Sequence, residues 1–184
     1  MENLIYDKQL YAILEKVSPI EPALWEDLKA MVKVSAVKKR RYISGEEFDL
    51  HIVLSGMIIH RLDGNHSEGG QVQDFISSGQ CFHHLEKKEH SSFEADEDSV
   101  VVLIRNKKVM KLMVKYPKFA AHLQHFYAEA LLRRTYRGTM IGLIAQDRKA
   151  RFKKNYPAAY LKCSINDKSS FLGMTASYYS KIDI

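Results

Sequence analysis

The sequence has few cysteines and no long apolar run. Cys81 and Cys163 are its two cysteines, and they lie far apart without a pairing pattern, unlike a disulfide framework. No apolar stretch approaches the roughly 18 residues that a membrane span requires. The first residues carry acidic side chains and lack the apolar segment of a secretory leader. We therefore expect a reduced, cytoplasmic chain without a membrane segment.

The composition is that of an ordinary folded chain with a basic surface. Its 184 residues are 46% apolar, which is enough to bury a normal core in one domain or in a domain with a small appendage. The formal net charge is +6, and a basic protein attracts polyanions, of which nucleic acid is the commonest. A solvated surface rich in lysine and arginine explains the same charge, so the charge favours nucleic-acid binding only modestly.

Three zones follow one another along the chain. Residues 1–33 have apolar residues at helical spacing on either side of a proline-containing break. Residues 34–105 consist of short apolar or alternating runs separated by glycine-containing turns, a pattern typical of an antiparallel barrel or jelly roll. From residue 106 onward the helical period returns, with a short helix that Pro117 closes. The pattern predicts an α+β fold.

Residues 118–145 contain no proline and form the longest predicted helix. An amphipathic helix that leaves a barrel has nothing obvious to cover its apolar face, and the same helix of a second subunit would cover it by coiled-coil packing. We therefore predict a homodimer. The alternative is that the apolar stripe folds back on its own barrel. The predicted dimer interface consists of Phe119, Leu123, Phe126, Ala130, Leu132, Tyr136, Met140 and Leu143.

The C-terminal residues contain a predicted helix-turn-helix. Gly173 supplies the turn, Ser169 occupies the position in the first helix that must be small, and Thr175 is a suitable N-cap for the second helix. Tyr179 and Ile182 would face inward from the second helix. The residues predicted to contact DNA are Thr175, Ala176, Ser177, Tyr178, Ser180 and Lys181.

The order of these zones resembles that of the bacterial cyclic-nucleotide-binding regulators of the Crp/Fnr type, most closely their short Bacteroidetes-like forms. The segments that carry the resemblance are 52–60, 74–82, 116–119 and, most specifically, 170–182. The resemblance implies N-terminal helices, an antiparallel β jelly roll that senses a ligand, a long dimerisation helix and a small C-terminal helix-turn-helix. It divides the chain into a sensor domain at 1–117, the dimerisation helix at 118–145 and a DNA-binding domain without a wing at 146–184.

The pocket of the family is altered in this sequence. In the family, a Glu holds the ribose hydroxyl, and an Arg holds the cyclic phosphate and is followed by Ser or Thr and then Ala. Aligned on Gly79, these Glu, Arg and Ala positions hold His84, Ser91 and Phe93. Loss of the buried counter-charge to a phosphate is costly, and Phe93 would fill space that the ligand uses. The altered pocket comprises Gly79, Phe82, His84, Ser91, Ser92 and Phe93.

We therefore expect no usual response to cyclic AMP. An unknown small-molecule ligand, or a barrel that is packed shut, is favoured over a bound cyclic nucleotide, and no cofactor is assigned.

The predicted recognition helix also departs from the family in its charge. The usual Arg and Glu are Ala176 and Ser177 here, and the usual Arg near the end of the helix is Lys181. A basic cluster in the preceding helix supplies further candidates for phosphate contacts, namely Arg148, Lys149, Arg151, Lys153 and Lys154. The resemblance implies a dimeric, ligand-responsive transcription regulator. The altered charges leave one alternative, a dimeric module that acts through protein contacts without sequence-specific DNA binding.

No catalytic arrangement stands out. Cys81, His83, His84 and His90 lie within ten residues of one another, and jelly-roll metal sites of the cupin class use histidine ligands. Adjacent His83 and His84 point to opposite faces of a strand, so they do not bind one metal from it. The sequence also lacks His-x-His and His-Glu-x-x-His spacings. We expect neither an enzyme nor a metal protein, and a metal-dependent barrel enzyme remains as an alternative.

Overall fold

The computed structural model describes residues 2–62, 70–84 and 91–183. Helices come first, two sheets follow, and further helices complete the chain. The helices are α1 (Glu2–Glu15), α2 (Pro22–Met31), α3 (Asn106–Lys115), α4 (Ala120–Ile141), α5 (Ala145–Asn155), α6 (Pro157–Lys162), α7 (Ile165–Phe171) and α8 (Ala176–Lys181). The strands are β1 (Lys33–Val37), β2 (Leu50–Ser55), β3 (Met57–Leu62), β4 (Gln71–Ser77), β5 (Cys81–His83), β6 (Ser91–Ala95) and β7 (Ser99–Ile104).

The strands form two antiparallel sheets that stack face to face. One sheet has the order β1-β7-β2-β5 and the other the order β4-β3-β6. Val53 and Val101 of the first sheet share an apolar cluster with Ile58 and Phe93 of the second. The predicted α+β fold is confirmed. Within the described ranges, however, the two sheets stay open and do not close into a barrel.

Alternation along the strands sends side chains to different cores. In β3, Ile58 faces the space between the sheets, whereas Met57 and Ile59 belong to a cluster on the outer face. In β2, Leu50 and Ile52 face a third cluster, which they share with the N-terminal helices and α4. The layers therefore run from the N-terminal helices through the four-stranded sheet and the three-stranded sheet to the C-terminal helices.

The first half of α4, together with Phe119 immediately before it, packs on the chain's own core. Phe119, Leu123, Phe126 and Ala130 are each at most 6% exposed within a single chain, and they belong to the cluster of the N-terminal helices. This corrects the prediction that these four residues form a dimer interface. The alternative holds for them, because the four-stranded sheet and the N-terminal helices offer apolar surface that covers the stripe.

The other four residues of the predicted interface differ from one another in burial. Met140 is fully buried in the cluster of the C-terminal helices, which also corrects its assignment to a dimer interface. Tyr136 and Leu143 are half-buried, and Tyr136 packs against the same cluster. Leu132 is 66% exposed. Of the predicted interface residues, Leu132 is thus the one whose side chain is largely free in a single chain.

The C-terminal helices are docked on the outer face of the three-stranded sheet. The ring of Phe75 in β4 lies 5.6 Å from that of Phe152 and 5.1 Å from that of Phe171, measured between centroids. Arg61 Nη2 of β3 lies 2.7 Å from Asp167 Oδ1 of α7. The sensor and DNA-binding parts predicted from the sequence therefore share one apolar core and a half-buried ion pair.

Phe171→Ala is expected to lower the free energy of unfolding by about 3–5 kcal/mol, because it opens a cavity among packed aromatic rings. Urea denaturation followed by circular dichroism measures this cost. The matched control is Leu161→Ala, at an 80% exposed position of α6, which should cost less than about 1 kcal/mol. Equal costs for the two variants would contradict the shared core.

Candidate functional site

Four rings form a continuous stack across the interior of the sandwich. Phe82 of β5 and Phe93 of β6 lie face to face, with centroids 4.5 Å apart. His51 of β2 stacks on Phe82 at 4.7 Å, and His60 of β3 stacks on Phe93 at 4.5 Å. The stack thus joins one sheet to the other through the interior, where the sequence places the altered ligand pocket.

His84 flanks this ring stack. Its ring meets Phe93 edge-on at 4.9 Å and His51 at 5.3 Å, measured between centroids. Gly45 passes close to both imidazoles, since a Cβ there would lie 2.3 Å from His84 Cδ2 and 2.9 Å from His51 Cε1. The segment before β2 therefore requires a glycine at this point, because a side chain would displace one or both rings.

The stacked histidines are neutral groups in an apolar environment. His51 and His60 are only 1% and 4% exposed. Burial lowers the pKa of His51 to about 4 and the pKa of His60 to about 3. Both ring nitrogens of His51 and Nε2 of His60 are buried and have no hydrogen-bond partner among the described residues. Such unpaired polar atoms are costly, so the interior holds hydrogen-bonding capacity that these residues do not use.

The structure brings part of the predicted pocket together. Phe82, His84 and Phe93 meet in the interior. Phe93 is 2% exposed and occupies the space between the sheets. The other predicted residues lie in the turn before β5 and at the start of β6, and they are Gly79, Ser91 and Ser92.

Sequence reasoning missed His51 and His60. Each histidine points inward from a central strand, whereas its neighbours Ile52 and Ile59 face the outer clusters. The available signal was a histidine inside an otherwise apolar strand. Because side chains alternate between faces, such a residue must lie on one buried face or the other.

Arg133 of α4 joins the two sheets at their edges. Its Nε donates to Asp74 Oδ2 of β4 at 2.9 Å, and its Nη2 donates to the carbonyl oxygen of Cys81 in β5 at 2.6 Å. Burial raises the pKa of Asp74, and the charge of Arg133 opposes that shift. Any movement of α4 at Arg133 therefore acts on both sheets. The sequence pattern did not single this residue out.

Helices α7 and α8 form the predicted helix-turn-helix. Ser164 Oγ accepts from a backbone N–H in the first turn of α7 at 3.1 Å. Thr175 Oγ1 accepts from the N–H of Tyr178 at 3.2 Å and so caps α8. Gly173 has a φ of 64°, a left-handed conformation that favours glycine in the turn. Ser169 is 3% exposed, and its carbonyl oxygen accepts from the N–H of Met174 in the turn at 3.0 Å.

The outer face of α8 is accessible in the single chain. The side chain of Tyr178 is 54% exposed. Most of the predicted DNA-contacting residues share this exposure, namely Thr175, Ser177, Ser180 and Lys181, whereas Ala176 is half-buried.

Two members of the basic cluster on α5 have internal partners. Arg148 donates to the carbonyl oxygens of Leu143 and Leu172, at 2.7 and 2.9 Å. Lys149 donates to the carbonyl oxygen of Ile182 at 2.6 Å, beyond the end of α8. These bonds correct the prediction that the whole cluster is available for phosphate, because the two side chains hold the helix ends together. The exposed members are Arg151, Lys153 and Lys154.

The histidines of the predicted metal alternative diverge. His83 faces Tyr127 of α4 at 5.1 Å, whereas His84 faces the interior. His90 lies outside the described residues. Within residues 2–62, 70–84 and 91–183, no group of three or more His, Cys, Asp or Glu side chains is placed to hold a metal ion. Over the same ranges, the helices are too short or too polar to cross a bilayer.

Solved structures share this fold. FixK2 from Bradyrhizobium japonicum superposes with a TM-score of 0.70 at 21% identity, over 82% of this chain and 81% of that one. A transcriptional regulator of the Crp/Fnr family from Eubacterium rectale gives 0.68 at 14% identity, over 88% and 81%. A cyclic nucleotide-binding domain containing protein from Listeria monocytogenes gives 0.69 at 12% identity, over 94% and 87%. The chain therefore has the Crp/Fnr-type fold that the sequence suggested. No family model and no curated protein matches it.

The buried histidines predict a pH-dependent stability. Their pKa values are lower in the folded chain than in the unfolded chain, so the unfolded chain binds more protons below about pH 6.5. As the pH falls from about 6.5 to 5, each histidine should therefore lower the free energy of unfolding with a slope that approaches about 1.4 kcal/mol per pH unit. Denaturation at several pH values measures the slope, and His60→Phe should reduce it by the contribution of one histidine. An unchanged slope in this variant would contradict the assignment.

Proposed function

We propose that this chain is a dimeric, ligand-responsive transcription regulator of the Crp/Fnr type that does not respond to cyclic AMP in the usual way. The observation that carries the proposal is a capped helix-turn-helix with an exposed second helix, on a fold shared with a Crp/Fnr transcriptional regulator. In this proposal 1–117 senses the ligand, 118–145 forms the dimerisation helix, and 146–184 binds DNA. The proposed location is the cytoplasm.

The chemistry of α8 suits contacts with DNA of moderate specificity. Ser177, Tyr178 and Ser180 present hydroxyl groups, and Lys181 presents an ammonium group. These groups bond to base edges and phosphates, but they lack the bidentate geometry of arginine, so each contact discriminates less between bases. Two helices that read two half-sites of one dimer would compensate for the weak single contacts.

The exposed side of α4 offers a dimer surface that differs from the predicted stripe. Gln124, Ala128, Leu131, Thr135 and Gly138 are exposed and follow one another at spacings of four and three residues. This is the spacing of a coiled-coil seam, and its uncharged, mostly small side chains permit close helix approach. We therefore propose that the dimer forms through these exposed residues and not through the buried ones.

The long helix provides a route from the sensor to the DNA-binding part. Arg133 holds both sheets, and Arg137, one turn further on, donates from Nε to the carbonyl oxygen of Phe171 in α7 at 3.0 Å. A ligand that shifts α4 would therefore move the helix-turn-helix and change the spacing of the two reading helices in a dimer.

The ring stack supports the exclusion of a usual cyclic AMP response. Phe82 and Phe93 are at most 3% exposed and fill the interior between the sheets. A nucleotide base would have to displace both rings and the histidines stacked on them, which would forfeit their packing.

Selection from a random DNA pool should enrich a two-fold-symmetric site, and binding to that site should weaken steeply as salt rises. Lys181→Ala should lower the slope of log affinity against log salt by about one unit per reading helix, because one phosphate contact is lost from each. Fluorescence anisotropy across a salt series measures the slope.

Lys111→Ala, at an exposed position of α3 on the sensor part, is the matched control and should leave the slope unchanged. If no sequence is enriched and the two variants behave alike, the chain does not read DNA through α8. The alternative predicted from the sequence, a dimeric module that acts through protein contacts, would then take its place.

Leu131→Glu should convert the dimer to a monomer, because it places two charges within the proposed seam, where Leu131 is 65% exposed in the single chain. Val114→Glu, at an 82% exposed position of α3, should leave the mass unchanged. Sedimentation analysis measures both. A Leu131→Glu variant that remains dimeric would place the interface elsewhere.

A further inference from the structure

A cavity lies beside the ring stack, on the side of the edge strand β1. Strands β1 and β7 and the segment 42–44 enclose about 190 Å³. A cavity of roughly 150 Å³ in another protein holds a benzene molecule. The space here is therefore large enough for one small ring with a polar substituent.

Strand register explains why this cavity reaches the stack. Lys33 of β1 is paired with Leu103 of β7, Leu103 with His51 of β2, and His51 with Phe82 of β5. Paired residues point to the same face, so these four side chains form one row on the inner face of the sheet. Phe93 covers the row at Phe82, and the rest of the row lines the cavity.

The walls of the cavity offer hydrogen-bond donors. The hydroxyl-bearing residues Ser35, Tyr42 and Ser44 line it, and Lys33 stands at its rim. His51 lines its inner end and is 99% buried with both ring nitrogens unpartnered among the described residues. Burial lowers the pKa of His51 to about 4, so the ring is neutral near pH 7 and carries one N–H that can donate.

The charge of the lining is positive. Lys33 and Arg105 are both lining residues, and none of the described lining residues is acidic. Arg105 is paired with Asp49 at 2.6 Å. Asp49 also accepts from the backbone N–H groups of Glu46 and Asn106. Its oxygens are therefore already occupied, and Lys33 supplies the cation that remains for a ligand.

We propose that this cavity binds a small organic acid of about the size of benzoate. Its carboxylate would lie between the Lys33 ammonium and the hydroxyl groups, its apolar body would rest on Val101 and Leu103, and His51 would donate one hydrogen bond. The residues of the altered nucleotide pocket do not line this cavity. The assignment therefore adds a site on the opposite side of His51 and does not depend on DNA binding.

The test is direct binding to the full chain. Benzoate, succinate and inorganic phosphate are titrated at constant ionic strength while the ring protons of His51, assigned through their loss in His51→Phe, are followed by NMR. Benzoate is expected to shift these signals with saturation, and neutral benzamide should bind at least about tenfold more weakly, because it lacks the charge that pairs with Lys33. Lys33→Met should weaken benzoate binding about fivefold.

Ser35→Leu fills the cavity and should abolish benzoate binding. Ala36→Leu is the matched control, since Ala36 is exposed on the opposite face of the same strand, and it should bind benzoate like the parent. Thermal unfolding of both variants confirms that they are folded, and Lys33→Met tests the site independently at an exposed position. The proposal is overturned if no carboxylate saturates the His51 signals, if benzamide binds as well as benzoate, or if phosphate alone binds. Equal binding to Ser35→Leu and the parent would also overturn it.

Discussion

The bridge from Arg133 to Asp74 and to the carbonyl of Cys81 is the interaction on which the arrangement of the layers depends. It ties the long helix to one strand of each sheet at the edge where the described strands form no ladder between the sheets. Removing one partner of such a buried ion pair leaves an uncompensated charge in the interior, which is far costlier than losing an exposed pair. The helix that carries Arg133 also packs on the N-terminal helices and on the C-terminal ones. One helix therefore sets the distance between all the layers.

The interior combines close packing with unused polarity. Phe82 and Phe93 fill the centre as aliphatic residues would, but each is stacked on a histidine with ring nitrogens that lack partners among the described residues. A core selected for stability alone has no need of such atoms. Of the two histidines, His51 lies between the filled centre and the cavity beside β1, where an interior adapted to a small polar ligand would place such a group.

Local patterns in the sequence were enough to predict the order of the elements, the turn at Gly173 and the cap at Thr175, because backbone conformation and capping depend on neighbouring residues. The periodicity of α4 showed which residues are apolar, but not what covers them. The apolar stripe that begins at Phe119 packs against the N-terminal helices and the four-stranded sheet of the same chain. The pairing of Arg133 with Asp74 joins residues 59 positions apart, and no local signal encodes it. The inward histidines were visible as residues, but their mutual stacking depends on how two sheets face each other.

The docking of the C-terminal helices on the three-stranded sheet has a consequence for how such proteins can be recombined. A domain that is joined to its neighbour only by a linker can be exchanged between chains without regard to how that neighbour packs. Here Phe75 of the three-stranded sheet packs directly against Phe152 and Phe171 of the C-terminal helices. C-terminal helices taken from another chain would meet a sheet surface shaped for different side chains. Substitutions on one side of this contact must therefore preserve the packing of the other side, whereas the exposed side chains of α8 can change without disturbing it.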